Sequence, residues 1–253
     1  MTIAKVLDGR QRSAVALGDC RTVLGNMPPK SVDLIFGSPP YVEKGRRYPD
    51  SSTAQKWRIG EWVEWMQTVT LASLRVSRCW VLWVANGAVR AGRYQPACEG
   101  LVWELFKIGI PVERPCIWHK NAPPNRHGWF DNDWEFILAF KSPDVDTPYF
   151  NWEAITEPRD VVRVPVGGGH LGSQLAHDNE TPFPEGLPDR FVPVCCPADG
   201  VVSDPFSGSG TTGAVALKRG RRFIGIENRE SQVDLTRRRL REARSSGLSQ
   251  KTS

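Results

Sequence analysis

The sequence predicts an α/β fold, a mostly parallel sheet with helices on both faces. Three observations carry that expectation. Short apolar runs alternate with longer segments of helical period along the chain. Two of those runs end abruptly in loops rich in glycine or proline. The chain has 253 residues, enough to bury a large core in one domain. Its 40% apolar and 24% charged residues place it among globular proteins rather than disordered or membrane chains.

Strands are expected at 14–17, 32–36, 80–85, 115–118, 135–140, 201–203 and 223–226, runs too short and too apolar for surface helices. A helix is expected over 59–77, where Ile59, Trp62, Met66 and Val69 share one face, and another over 95–107, stopped by Gly109 and Pro111. A third fits 211–219. A fourth fits 230–244, with Val233, Thr236 and Leu240 as its apolar stripe. The stretch 142–188 is rich in Pro and Gly, contains Gly167-Gly168-Gly169, and is weakly periodic. It is long for a connection, so it reads as an insertion of variable function. Residues 245–253 are polar and are expected to be disordered. No internal repeat is found. Most of the ten tryptophans fall in apolar patterns and read as core.

Net charge is +5, but residues 217–253 hold eleven Lys or Arg against four Asp or Glu. A clustered positive excess suits a polyanionic partner, although a solvated helix face explains it equally well. The six cysteines form no C-x-x-C pair, and the four histidines lack the spacing of a zinc site. Reduced, mostly buried thiols and no metal are expected. The N-terminus has no apolar signal core and no apolar stretch reaches membrane-span length, which predicts a soluble cytoplasmic chain.

The chemistry concentrates in two stretches. In "LIFGSPPYVEKGRRY", residues 34–48, an apolar strand stops at Gly37 and gives way to Ser38-Pro39-Pro40-Tyr41. Two prolines stiffen the backbone, a serine and a tyrosine supply polar and aromatic groups, and Lys44, Arg46 and Arg47 follow. In "VVSDPFSGSGTTGAVALKRGRRFIGIE", residues 201–227, a strand ends at Asp204, a glycine turn leads into a helix, and a second strand ends at Glu227. Glycines let backbone approach a ligand, a helix N-terminus offers free N–H groups, and an acid ending the next strand can accept from a ribose diol.

Gly208-Ser209-Gly210-Thr211-Thr212-Gly213 also matches G-x-G-x-x-G, so an NAD-dependent oxidoreductase has to be weighed. Position argues against it, because only 40 residues follow Gly213 and the rest of the sheet must come from the N-terminal half. A nuclease would need clustered carboxylates for magnesium, and none is evident. A non-enzymatic DNA-binding module would not need the glycine loop.

These two stretches, in this order, resemble the S-adenosylmethionine-dependent DNA amino methyltransferases of the permuted, beta class. That family carries Asp, Asn or Ser before Pro-Pro and an aromatic residue, ahead of D-x-F-x-G-x-G. Ser38-Pro39-Pro40-Tyr41 matches the first motif and Asp204-Pro205-Phe206-Ser207-Gly208-Ser209-Gly210 the second. The lead-in "GDCRTVLGNMPPKSVDLIFGSPPY", the segment "ETPFPEGLPDRF" and "CIWHKNAPPNR…WEFILAFKS" are similar as well, so the likeness covers most of residues 14–240.

The resemblance implies a Rossmann-like methyltransferase sheet with circularly permuted motifs in one domain, 1–244. Its catalytic part is about 14–141, its target-recognition insertion about 142–180 and its cofactor part about 181–244. S-adenosylmethionine is the implied cofactor and double-stranded DNA the implied partner, with a homodimer possible in this family. Ser38 and the Pro39 carbonyl would accept from the target amine, and Tyr41 would stack on a flipped base. Asp19 would lie near the cofactor adenine, Phe183 and Asp204 at its amino-acid end, and Phe206 packed on it. Gly208 and Gly210 would allow close approach, with Thr211 near the carboxylate and Glu227 on the ribose. Lys44, Arg46 and Arg47 would contact phosphates. Serine at the first motif position is commoner among enzymes making N4-methylcytosine, which favours cytosine, with N6 of adenine as the alternative.

Overall fold

The computed structural model describes residues 2–42, 57–90, 93–121, 132–166 and 183–249. Lys44, Arg46 and Arg47 lie outside the described residues, as do 167–182 within the expected insertion. In chain order the elements are α1 (Ile3–Leu7), β1 (Ser13–Leu17), α2 (Cys20–Asn26), β2 (Val32–Gly37), α3 (Ile59–Val76) and β3 (Ser77–Ala85). A hairpin of β4 (Ala88–Arg90) and β5 (Arg93–Gln95) follows, then α4 (Ala97–Lys107), β6 (Cys116–His119), β7 (Trp134–Lys141) and β8 (Val161–Arg163). The last elements are α5 (Gly186–Cys195), β9 (Val201–Asp204), α6 (Thr211–Lys218), β10 (Arg222–Glu227) and α7 (Glu230–Ser249). All seven expected strands are present, with ends within three residues of those expected.

Eight strands form one sheet in the order β1-β10-β9-β2-β3-β7-β6-β8. From β1 to β3 every pair is parallel; β7 runs antiparallel to β3 and β6, and β8 is parallel to β6. β9 and β10 come last in the chain yet sit between β1 and β2, which is the permutation expected from the motif order.

Strand side chains alternate between two cores. Ile35, Val81 and Trp83 pack with α1 to α4 on one face. Leu34, Phe36, Leu82 and Val84 pack with α5 to α7 on the other. Continuous apolar strands therefore follow from burial on both faces. Trp57, Trp62, Trp80, Trp83 and Trp118 are core, as expected, whereas Trp103 and Trp152 are more than half exposed.

The described part of the expected insertion is held to the sheet: β8 extends it, Trp80 Nε1 donates to the Tyr149 carbonyl at 2.8 Å, and Asn151 N donates to Val194 O at 2.9 Å. One expectation needs correction. The tail expected to be disordered from 245 instead continues α7 to Ser249. Leu240 and Ala243 are buried, and Ser245 Oγ donates to the Arg241 carbonyl, so nothing at 245 ends the helix. Among the described residues no helix is long and apolar enough to cross a membrane. All six cysteines are free, and all but the half-buried Cys116 are buried.

Candidate active site

The connection from β2 through α3 leads to one side of the sheet, and that from β9 through α6 leads to the other. At such a reversal the carboxyl ends of the two central strands open a crevice, the usual ligand position in a doubly wound sheet. Gly37 ends β2 and Asp204 ends β9. A Cβ on residue 37 would stand 2.5 Å from Asp204 Oδ1, so only glycine fits there without displacing the carboxylate. The two motifs, 167 positions apart in the chain, meet at this contact.

Asp204 is buried, and Phe206 N donates to its Oδ1 at 2.9 Å. Burial pushes the carboxyl up to about 7; the Phe206 N–H and the Thr212 hydroxyl oppose the rise, while the charge of Glu227 adds to it. Beyond it the glycine loop is fixed from three directions. Gly208 N donates to Glu227 Oε2 at 2.9 Å, and Thr236 Oγ1 donates to the Gly208 carbonyl at 2.6 Å. Gly210 has φ +79°, and a Cβ there would lie 2.7 Å from Thr236 Cγ2. Arg239, 3% exposed, donates to Ser209 Oγ at 3.2 Å, Thr211 Oγ1 at 2.9 Å and Glu185 Oε1 at 2.9 Å. The sequence left the arginines of this region to a polyanionic partner or a solvated face; Arg239 instead ties the loop to the start of α5.

Glu227 ends β10, and its Oε1 accepts from Asn228 N at 3.0 Å and Arg229 N at 3.1 Å. Its carbonyl accepts from Gly18 N at 2.9 Å, which puts Asp19 at the neighbouring strand end. Asp19 caps α2, accepting from Arg21 N at 2.8 Å, and the Arg21 guanidinium holds its carboxyl below the usual range. Phe206 lies with its ring centroid 5.7 Å from Trp65 and 5.6 Å from Trp83. Phe183 meets Phe36 edge-on at 6.0 Å. Asp19, Asp204, Phe206, Gly208, Gly210, Thr211 and Glu227 thus gather along the carboxyl ends of β1, β10 and β9, beside Ser38.

The Ser-Pro-Pro-Tyr segment is anchored from below. Pro39 and Val42 are buried, and Trp62 Nε1 donates to the Pro40 carbonyl at 2.8 Å. Tyr41 Oη donates to Glu135 Oε2 on β7 and is also a hydrogen-bond partner of the Ser38 hydroxyl. Burial, with the charge of Glu135, holds the Tyr41 hydroxyl far above its ordinary pKa, so it stays a donor. Lys120 Nζ lies 3.4 Å from Glu135 Oε1, both side chains being less than one-fifth exposed. Next to them His119 Nε2 pairs with Asp133 Oδ2 at 3.0 Å. Sequence reasoning missed Glu135. A single carboxylate in the apolar run "WEFILAF" was the available signal.

A doubly wound sheet whose reversal point joins a rigid Ser-Pro-Pro-Tyr segment to a glycine loop has the architecture of an amino methyltransferase. The DNA methylase family N6_N4_Mtase matches residues 32–238, and the chain belongs to that family: it is a DNA amino methyltransferase acting on an N6 or N4 amine. Its cofactor is S-adenosylmethionine. The crevice suits that molecule, with a backbone-lined cradle at Gly208 and Gly210, a free helix N-terminus at α6, and buried carboxylates on β9 and β10.

Among curated relatives, the chain is 26% identical to the type II methyltransferase M2.MboI of Moraxella bovis, covering 89% of this chain and 86% of that one. It is also 26% identical to M2.LlaDCHI of Lactococcus lactis subsp. cremoris, covering 94% and 93%. Among solved structures, the PvuII cytosine-N4-specific DNA methyltransferase superposes with TM-score 0.77 at 16% identity, over 94% of this chain and 93% of that one. A putative DNA modification methylase from Thermus thermophilus, complexed with S-adenosylmethionine, gives TM-score 0.68 at 24% identity, over 92% and 96%. At these identities the structural matches speak for the fold.

Proposed function

We propose that the chain methylates the exocyclic amine of a base flipped out of duplex DNA, with N4 of cytosine as the target. The contact between Gly37 and Asp204 carries this reading, because it sets the amine-accepting segment directly beside the cofactor crevice. S-adenosylmethionine supplies an electrophilic methyl on a sulfonium. An exocyclic amine is a poor nucleophile, since its lone pair is delocalised into the ring. Ser38 Oγ and the Pro39 carbonyl accept from its two hydrogens and favour tetrahedral nitrogen in the transition state. The nitrogen–carbon bond would form as the sulfur–carbon bond breaks, the neutral thioether being the leaving group, and the methylated amine would then give up one proton to water.

On the cofactor side, Asp204 faces the amino-acid end and Glu227 the ribose hydroxyls. Glu227 already accepts from Gly208 N, Asn228 N, Arg229 N and, at 3.3 Å, Arg229 Nε, which fills the about four lone-pair sites of a carboxylate, so the ribose hydroxyls would take the place of the guanidinium contact. Asp19 borders the adenine side, and Phe183 borders the methionine side next to Phe36. Lys44, Arg46 and Arg47, outside the described residues, would hold phosphates beside the flipped base. The base itself must leave the stack for its amine to meet the methyl, and the Tyr41 ring recovers part of the unstacking cost. Both curated relatives are type II methyltransferases, which fits a modification enzyme acting at a defined sequence in the cytoplasm.

The experiment is to express the chain, digest the methylated DNA to nucleosides and separate them by mass. N4-methylcytosine is expected. N6-methyladenine as the sole product would overturn the choice of base, and unmodified DNA from a folded, cofactor-binding enzyme would overturn the function.

A further inference from the structure

A serine hydroxyl is donor and acceptor at once, and only one of those roles helps the reaction. To accept from the target amine, Ser38 Oγ must send its own proton elsewhere. The residues around it provide a direction. The Ser38 hydroxyl has Tyr41 Oη as a partner, Tyr41 Oη donates onward to Glu135 Oε2, and the other Glu135 oxygen faces Lys120 Nζ at 3.4 Å. A carboxylate at the end of such a chain can only accept, so it sets the sense of every hydrogen bond before it. With Tyr41 giving its proton to Glu135, its oxygen is left to receive the proton of Ser38. The Ser38 lone pairs then face outward, toward the crevice.

We propose that Glu135 is a positioning residue that, through Tyr41, turns Ser38 Oγ into an acceptor for the target amine, with Lys120 holding Glu135 in place. The proposal rests on the methyl-transfer function above. It gives the tyrosine of the motif a second duty besides stacking, and that duty depends on its hydroxyl. Nothing in the arrangement distinguishes cytosine from adenine, because both present the same C–NH₂ group. It therefore stands whichever base is methylated. The cluster lies at the carboxyl ends of β2 and β6 and the amino end of the antiparallel β7, on the side of Ser38 away from Asp204 and the glycine loop. Its loss should leave cofactor binding alone.

The test compares wild type with Glu135→Gln, Tyr41→Phe and the double variant. An amide at 135 can donate to Tyr41 Oη and reverse the chain, whereas Tyr41→Phe keeps the ring and removes only the hydroxyl. Single-turnover methylation is measured alongside cofactor affinity, DNA affinity and melting temperature. Each single variant is expected to methylate ~10- to 100-fold more slowly, on the scale of losing a partner that orients a group at a reacting centre. Cofactor and DNA affinities should stay within about twofold, and the double variant should be no slower than the worse single one. A Glu135→Gln rate within about twofold of wild type, or losses that multiply in the double variant, would overturn the proposal. If Glu135→Gln does not fold, Tyr41→Phe decides alone, since full activity without the hydroxyl breaks the chain at its centre. A wild-type enzyme that binds cofactor but methylates nothing would instead count against the parent function.

Discussion

Gly37 and Asp204 stand so close that a single methyl group on residue 37 would overlap the Asp204 carboxylate, with 2.5 Å between that carbon and Oδ1. The strand that presents the Ser-Pro-Pro-Tyr segment thus ends where the strand that presents the glycine loop ends. Gly37→Ala must push Asp204 out of its hydrogen bond with Phe206 N. Overpacking of this kind costs about 1–3 kcal/mol. The variant should melt lower and bind S-adenosylmethionine at least tenfold more weakly, as read by calorimetry. Unchanged cofactor affinity would mean that the crevice is not where the cofactor sits.

Arg239 should matter far more than its place among the arginines of α7 suggests. Its guanidinium bridges Ser209, Thr211 and Glu185 with almost no exposure to water. Removing it leaves a gap and takes the donor from the Ser209 and Thr211 hydroxyls, while Glu185 keeps Lys218 at 2.6 Å, a loss of about 1–3 kcal/mol. Arg239→Ala should lower the denaturation midpoint accordingly. Arg237→Ala on the same helix, paired with Asp234 at the surface, should change it by less than about 1 kcal/mol. Equal effects from the two variants would refute the difference in role.

Phe206 is expected to behave as part of the wall behind the cofactor. It sits against Trp65 and Trp83, and Trp65 lies against Trp57 at 4.7 Å between ring centroids. Phe206→Ala opens a gap in that aromatic group and should cost on the order of 3 kcal/mol, the low end of the range for buried phenylalanines. Its tryptophan emission should shift to longer wavelength as water reaches Trp65. Phe206→Leu, which nearly fills the space, should restore most of the stability. An unshifted emission spectrum in Phe206→Ala would argue that the ring is not packed there.

The sequence made the strands legible because parallel strands buried on both faces are short and almost wholly apolar, as "VLWVA" and "FIGI" are. It made the order of the motifs legible too, and with it the permuted sheet. β8 was not readable: Val161–Arg163 is three residues long and is held by its pairing with β6 rather than by any pattern of its own. α5 was obscured by Pro188 and Pro193, and Pro188 falls in the first turn, where no intrahelical N–H is lost. In the site, residues joined by chain neighbourhood were visible, as with Ser38 and Tyr41 or Gly208 and Gly210. Those joined only through space were not. Glu135 is 94 positions from Tyr41, and Arg239 is 28 from Thr211.

The last expectation concerns pH and follows from Asp204. Burial raises its carboxyl from 3.8 in the unfolded chain to about 7 in the folded one. A group whose pKa is higher in the folded state binds its proton more tightly there. Stability from this residue is therefore fully present below about pH 4 and is lost as the pH rises to about 7, by no more than on the order of 4 kcal/mol. The free enzyme should be less stable at pH 8 than at pH 5.5 on account of this residue. Asp204→Asn, which cannot ionise, should flatten that slope and melt no lower than wild type at pH 8. Cofactor binding should show the opposite trend. A positively charged amino group beside the carboxylate favours the ionised form, so affinity should rise with pH up to about 7, with a proton released on binding below it. Calorimetry at pH 6 in buffers of different ionisation enthalpy would detect that proton. Asp204→Asn should release none and should bind the cofactor at least tenfold more weakly. A wild-type enzyme that releases no proton at pH 6 would show that Asp204 does not face the cofactor's ammonium group.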